Sequence, residues 1–275
     1  MNEAALPLDG LGVLLTRPAG QALRTAQALR GAGARVFEFP ALQIAAIAPD
    51  SAFDAALAVL PSAQLAIFVS ANAVEFGMPH VTRHGGFAAQ TRIAAIGNAT
   101  RAALLAHGIA EVITPSSGFD SEALLTHPDL LQVASQHIII FRGQSESGGR
   151  KMLGYTLADR GALVHYAECY RRAVPDVDPA LRERLLDQWE CGEIQAIHVM
   201  SFETLRNLDA MIGDRGQDLL KRLWIVVPHG RIAQAARSLG CGNVEVAGLK
   251  DSELIDCLAR LKAQGLATLP SRAQQ

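Results

Sequence analysis

Short apolar runs alternate along the chain with stretches whose apolar positions recur at helical spacing, and glycine or proline separates most of them. The runs at 13–16, 35–39, 66–69, 93–96, 136–141, 194–200, 223–227 and 244–246 predict strands, and an extended segment is expected over 161–170. Helices are predicted over 21–30, 53–60, 151–160, 180–190, 202–211, 232–239 and 252–262. Further helices are expected after Ser70 or Asn72, either of which suits a cap, after Gly97, and from Asp120. Residues 171–179, with Pro175 and Pro179, read as a linker. Strands alternating with helices predict parallel sheets covered on both faces, with ligands taken beyond the carboxyl ends of the strands.

The segment 91–122 shows the pattern in its clearest form. Its apolar strand ends at Gly97, the turn Gly97-Asn98-Ala99-Thr100 opens a helix, and Gly108 suits the position after the helix. A helix start carries unpaired N–H groups and partial positive charge, which favours an anion. The same turn also reads as ordinary capping by Asn98 or Thr100.

The chain repeats itself. Ile67-Phe68-Val69-Ser70 matches His198-Val199-Met200-Ser201, and Asp120-Ser121-Glu122 matches Asp251-Ser252-Glu253, both at an offset of 131. The strand ending at Arg17 resembles the strand ending at Arg142, and Gly33-Ala34-Arg35-Val36 recurs as Gly161-Ala162-Leu163-Val164. Two similar α/β halves are implied. In both, polar residues fall just past strand ends: Arg17, Ser70, Gly97, Asn98, Thr100 and Arg142, then Ser201, His229 and Arg231. Facing edges of this kind would line a cleft suited to a carboxylate-rich molecule. Turn and cap chemistry explains each position taken singly.

Charge narrows the partners. With 25 Lys and Arg against 27 Asp and Glu, no basic excess marks a nucleic-acid or membrane-surface binder. The hydrophobic content of 49% with 5% aromatics is that of a soluble α/β protein, and no apolar run approaches membrane-spanning length. The first residues show neither a basic leader nor a long apolar core, so a secretory signal is not expected. Four cysteines, Cys169, Cys191, Cys241 and Cys257, lack metal-binding or paired spacing, which fits a reducing cytoplasm. Neither G-x-G-x-x-G after the first strand nor G-x-x-x-x-G-K-[ST] is present. Ser70 and Ser201 lack the G-x-S-x-G setting of a hydrolase, and His80 with His84 are read as surface residues. Tyr170 stands where the expected strand enters the linker, beside Arg171 and Arg172. It suits packing between domains, or a phenol made a better donor by the adjacent guanidinium groups.

Taken in order, a series of short motifs resembles the uroporphyrinogen-III synthase family over residues 11–262. They are Leu-Leu-Thr-Arg-Pro at 14–18, Phe-Val-Ser-Ala-Asn-Ala-Val at 68–74, Ile-Gly-Asn-Ala-Thr at 96–100, Asp-Ser-Glu-Ala-Leu-Leu at 120–125 and Phe-Arg-Gly at 141–143. Gly-Arg at 149–150, Gly-Ala-Leu-Val at 161–164, Cys-Tyr-Arg-Arg at 169–172 and Met-Ser at 200–201 continue the series. The resemblance implies an α/β fold of two similar domains with parallel sheets flanked by helices, joined by two extended linkers near 37–44 and 165–173. The domains would be 1–40 plus 172–275 and 41–171, the repeats exchanging their first strand–helix units. The repeat alone would place a boundary near Gln136.

The resemblance also implies a reaction: a hydro-lyase of tetrapyrrole biosynthesis that cyclises hydroxymethylbilane, with loss of water and inversion of ring D, to uroporphyrinogen III. No metal or organic cofactor, nucleic acid or membrane is implied, and a monomeric cytoplasmic protein is expected. Holding a flexible linear tetrapyrrole polycarboxylate so that its reacting carbons meet is mainly positioning. Tyr170 matches the tyrosine proposed to help the hydroxyl leave. Arg17, Ser70, Asn72, Gly97, Asn98, Thr100, Arg142, Gly143, Arg150, Ser201, His229 and Arg231 are the expected substrate-binding residues, the arginines through charge-assisted pairs. Pro228-His229-Gly230-Arg231 departs from the family's usual Gly followed by Thr-Ala, so His229 and Arg231 stand as substitutes there. The alternative from the repeat alone is a non-catalytic two-lobed binding or regulatory protein for a small anionic metabolite.

Overall fold

The computed structural model describes residues 5–116, 118, 120–144 and 151–265. In chain order the elements are β1 (Gly12–Leu15), α1 (Ala19–Gly31), β2 (Arg35–Glu38), β3 (Gln43–Ala46), α2 (Ser51–Ala58), β4 (Leu65–Phe68), α3 (Ala71–Arg83), β5 (Arg92–Ala95) and α4 (Asn98–Ala106). They continue with α5 (Ser121–Leu125), β6 (His137–Gly143), α6 (Lys151–Asp159), β7 (Leu163–Ala173), α7 (Pro179–Glu190), β8 (Ala196–His198), α8 (Phe202–Leu220), β9 (Trp224–Val227), α9 (Gly230–Ser238), β10 (Asn243–Val246) and α10 (Asp251–Ala263).

The chain divides into two compact units. Unit 1 holds the described residues up to Gln43 and from Ala173 onward; unit 2 is Ile44–Arg172. The sheet of unit 1 has the order β10-β9-β8-β1-β2, with every pairing parallel. That of unit 2 has the order β3-β7-β6-β4-β5, and its β7–β6, β6–β4 and β4–β5 pairings are parallel. A single parallel bridge from Ala94 to Ile113 adds a further position beyond β5.

The alternation of side chains along each strand builds two cores per sheet, one on each face. In unit 1, Leu14, Ile197, Val199, Ile225 and Val227 enter one core, while Val13, Leu15, Ala196 and Val226 enter the other under α1 and α10. In unit 2, Phe68, Ile93, Ile139 and Phe141 face one way and Ile67, Ala94, Ile138 and Ile140 the other.

Written from the repeat, both sheets have one order. Strands β2-β1-β8-β9-β10 correspond to β7-β6-β4-β5 followed by the Ile113 bridge. In unit 1 the chain runs as a doubly wound sheet of order 2-1-3-4-5, whose switch point lies between β1 and β8. In unit 2 the chain enters at the third position, and the switch point lies between β6 and β4. Gly108 adopts φ of +84°, as the predicted end of α4 requires.

Several expectations need correction. Strand β3 begins at the end of the extended linker expected near 37–44 and runs on to Ala46; two of its positions are exposed and two half-buried, so it carries little apolar signal. Strand β7 covers the extended linker expected near 165–173 and runs past Tyr170 to Ala173, so residues 171–173 of the segment read as a linker over 171–179 are strand. Helix α2 begins two residues early because Asp50 caps it, accepting from the Phe53 N–H. Helix α8 passes beyond Met211 to Leu220 across a break at Gly213, where φ is +64°. Its second part is held by Arg215, which binds Asp187 and Glu190 of α7 at 2.7 and 2.8 Å. His80 is half-buried, its ring edge-on to Phe53 at 4.8 Å, because α3 turns that face toward α2; only His84 is a surface residue.

Candidate functional site

In unit 2 the polar groups gather at the switch point. Ser70 follows β4 and caps α3, its Oγ accepting the Ala73 N–H at 3.1 Å. The same Oγ lies 3.0 Å from the Tyr170 hydroxyl. The pairing of β6 with β7 shifts between Arg142 and Gly143, so Gly143 pairs with Tyr170. A Cβ at Gly143 would come within 2.6 Å of the phenol ring, so the missing side chain makes the ring's place. Tyr170 is buried, its ring 5.9 Å from that of Phe76 and its carbonyl accepting the Gln144 N–H at 2.7 Å. Its hydroxyl is therefore directed by Ser70.

Arg142 does not present a free charge. Its Nε and Nη2 donate to Glu168 Oε1 at 3.0 and 2.7 Å, and its guanidinium covers the Tyr166 ring at 4.6 Å. Cys169, between these residues on β7, has its thiol pushed up to about 12 by burial and is inert at neutral pH.

At the next loop the capping alternative fails. Gly97, not Asn98 or Thr100, occupies the cap position of α4, which among the described residues has no side-chain cap. Thr100 is buried in the first turn, so the accessible donors of this turn belong to Gly97 and the exposed Asn98. Open space surrounds Gly97. Asn72 is half-buried in the first turn of α3. Arg150 lies outside the described residues.

Unit 1 repeats the scheme with different chemistry. Ser201 follows β8 and caps α8, accepting the Thr204 N–H at 3.1 Å with the Thr204 hydroxyl at 2.8 Å. His229 occupies the cap position of α9 without a side-chain cap, and His229, Gly230 and Arg231 are exposed. Helix α1 likewise begins uncapped after Pro18. Each sheet thus pairs a serine-capped helix, α3 or α8, with an uncapped one, α4 or α9, and the uncapped turns offer N–H groups to an anion.

Arg17 differs from its counterpart Arg142. It is half-buried, and among the described residues its hydrogen bond is a long one, from Nη1 to Thr25 Oγ1 at 3.4 Å. Thr25 in turn donates to Asp251 Oδ1 at 2.8 Å. The Thr16 hydroxyl donates to the His198 carbonyl at 2.8 Å and ties the turn after β1 to β8. His198 is buried, its Nδ1 has no partner among the described residues, and burial, then the nearby Arg17 charge, pushes its imidazole down to about 4 against the pull of Asp251.

Sequence reading missed Glu168, Thr25, His198 and the tertiary role of Asp251. His198 carried a signal, for it stands where the matched repeat has Ile67 in an otherwise apolar strand. Asp251 was visible only as half of a repeat. Its match Asp120 caps α5, accepting from Ala123 N, whereas Asp251 is the first residue of α10 and is turned onto Thr25.

Two doubly wound α/β units carry polar residues at the carboxyl ends of their central strands, the edge at which sheets of this class take ligands. The family described as uroporphyrinogen-III synthase HemD matches residues 24–253. A uroporphyrinogen-III synthase of Salmonella typhimurium is 32% identical over 249 residues, covering 89% of this chain and 98% of that protein. One of Escherichia coli is 30% identical over 250 residues, with coverage of 89% and 98%. A crystal structure of a mutant uroporphyrinogen III synthase from Thermus thermophilus matches 92% of this chain and 99% of that chain, with a TM-score of 0.57 and 18% identity, a likeness of fold alone. The chain belongs to the uroporphyrinogen-III synthase family.

Proposed function

We propose that this chain cyclises hydroxymethylbilane to uroporphyrinogen III, inverting ring D and releasing water. The observation that carries the reading is the buried Tyr170 hydroxyl held 3.0 Å from Ser70 Oγ over Gly143, at the switch point of a doubly wound sheet. Tyr170 donates a hydrogen bond to the departing hydroxyl while Ser70 orients the phenol. The leaving oxygen departs as water, and ring closure at the inverted ring D returns a proton, so the reaction balances without a further reactant.

The rest of the site binds. The uncapped turns at α1, α4 and α9 take acetate and propionate groups on backbone N–H groups, helped by Asn98, His229 and Arg231. Arg17, free of an ion pair among the described residues and aligned by Thr25, supplies a charge-assisted contact. Ser201, Asn72 and Gly143 shape the carboxyl edges, and Arg150 adds a further charge. Arg142, already bound to Glu168, fixes the wall beside Tyr170. No described helix is long and apolar enough to cross a membrane. We place the protein in the cytoplasm, acting as a monomer on a small-molecule substrate. Hydroxymethylbilane added to the protein should disappear faster than its spontaneous ring closure; a rate equal to the protein-free blank overturns the reading.

A further inference from the structure

At the opposite, amino-terminal edge of the unit 2 sheet lies a pair that the proposed reaction leaves unused. His137 opens β6, and His165 is the third residue of β7. The register pairs His137 with Leu163 and Ile139 with His165, so the two side chains stand on neighbouring strands one step apart. Alternation places both on the face of Ile139, Phe141, Ala167 and Cys169. Both are half-buried, their rings nearly parallel at 22° with centroids 5.2 Å apart, and His137 Nδ1 lies 3.0 Å from His165 Nε2.

We propose that His137 and His165 form a two-imidazole site for a divalent transition metal of tetragonal preference, Cu²⁺ or Ni²⁺. With a metal–nitrogen bond of about 2.1 Å, two imidazoles bound at a right angle place their nitrogens about 3.0 Å apart, whereas a tetrahedral pair needs about 3.4 Å. The 3.0 Å between the metal-free rings is an N–H···N hydrogen bond, and it already equals the right-angled spacing, so both nitrogens reach one metal once the rings turn. Nitrogen ligands in that arrangement select Cu²⁺ and Ni²⁺, with Cu²⁺ bound more tightly.

Without metal, one ring donates its N–H to the other. On binding, the donor ring carries its proton on its other nitrogen, and both facing nitrogens turn their lone pairs to the metal, with no net proton released. Among the described residues no third His, Cys, Asp or Glu joins the pair, so water fills the remaining positions and the site exchanges metal readily. Bound metal clips β6 to β7.

Electron paramagnetic resonance of tag-free protein with one equivalent of Cu²⁺ tests the assignment. The expected spectrum is tetragonal, with coupling to two imidazole nitrogens. His137→Gln and His165→Gln should each remove one nitrogen and weaken Cu²⁺ binding at least tenfold, while H84Q leaves both unchanged. Binding by the wild type that either pair variant leaves unaltered, or no binding at all, overturns the proposal. Circular dichroism confirms that a variant is folded, and the two variants, on separate strands, serve as checks on each other. Turnover is not the readout, so failure here leaves the proposed reaction untouched.

Discussion

His198 gives unit 1 an acid sensitivity whose size follows from its burial. The imidazole sits at 5% exposure among the core residues under α1 and α10, and its folded value of about 4 is well below the ordinary 6.5. The folded state therefore refuses a proton that the unfolded state accepts. The stabilisation tied to the neutral ring is complete above pH 6.5 and is lost as pH falls toward 4. The full difference is about 3 kcal/mol, and at pH 5 about 2 kcal/mol is already gone, a large share of the stability of a domain.

His198→Leu removes the titration and an unpartnered buried nitrogen at similar volume, so little change is expected at pH 7. Both tryptophans of the chain, Trp189 in α7 and Trp224 in β9, belong to unit 1, so tryptophan fluorescence during urea unfolding reports that unit by itself. Between pH 7 and pH 5 the wild type should lose about 2 kcal/mol more than His198→Leu, other titrating groups cancelling in the comparison. Equal losses would refute the reasoning and mean that water reaches the ring.

Other substitutions separate binding from structure. Arg17→Gln should raise KM by about tenfold to a hundredfold through loss of one charge-assisted contact, with thermal stability nearly unchanged. The counterpart Arg142→Gln should leave KM nearly intact and cost about 1–3 kcal/mol in unit 2, read by calorimetry, because Glu168 loses its partner. Gly143→Ala drives a methyl group into the Tyr170 ring and should cost about 1–3 kcal/mol while lowering kcat; unchanged kcat would show that the ring position does not matter. Tyr170→Phe should lower kcat more than it raises KM, and equal kcat would remove the hydroxyl from the reaction.

Much of the fold was legible because parallel strands buried on both faces leave uninterrupted apolar runs, as at β4 and β6. The repeat exposed Ser70 and Ser201 as matching residues, and both prove to be caps, since a serine after a strand satisfies the next helix locally. What stayed hidden depends on partners far away in the chain. Arg142 looked like its repeat mate Arg17, yet Glu168 on the neighbouring strand takes its charge, while among the described residues Arg17 donates to a hydroxyl. Thr25 and Asp251 are 226 residues apart, a pairing no local pattern announces. Strand β3 carries too little apolar signal to stand out, and α8 outlasts its sequence break at Gly213 because Arg215 ties it to α7. Thr100 read as a cap or a ligand hydroxyl; Gly97 takes the cap position, and Thr100 is buried in the turn that follows.

The isomer of the macrocycle is the most direct measure of the central claim. Spontaneous closure of hydroxymethylbilane keeps the original order of side chains on ring D and gives the type I product, whereas inversion gives type III. With increasing protein at fixed substrate, chromatography of the oxidised products should show the type III fraction rising toward completion and type I disappearing. A product that stays type I at every protein concentration would contradict the account.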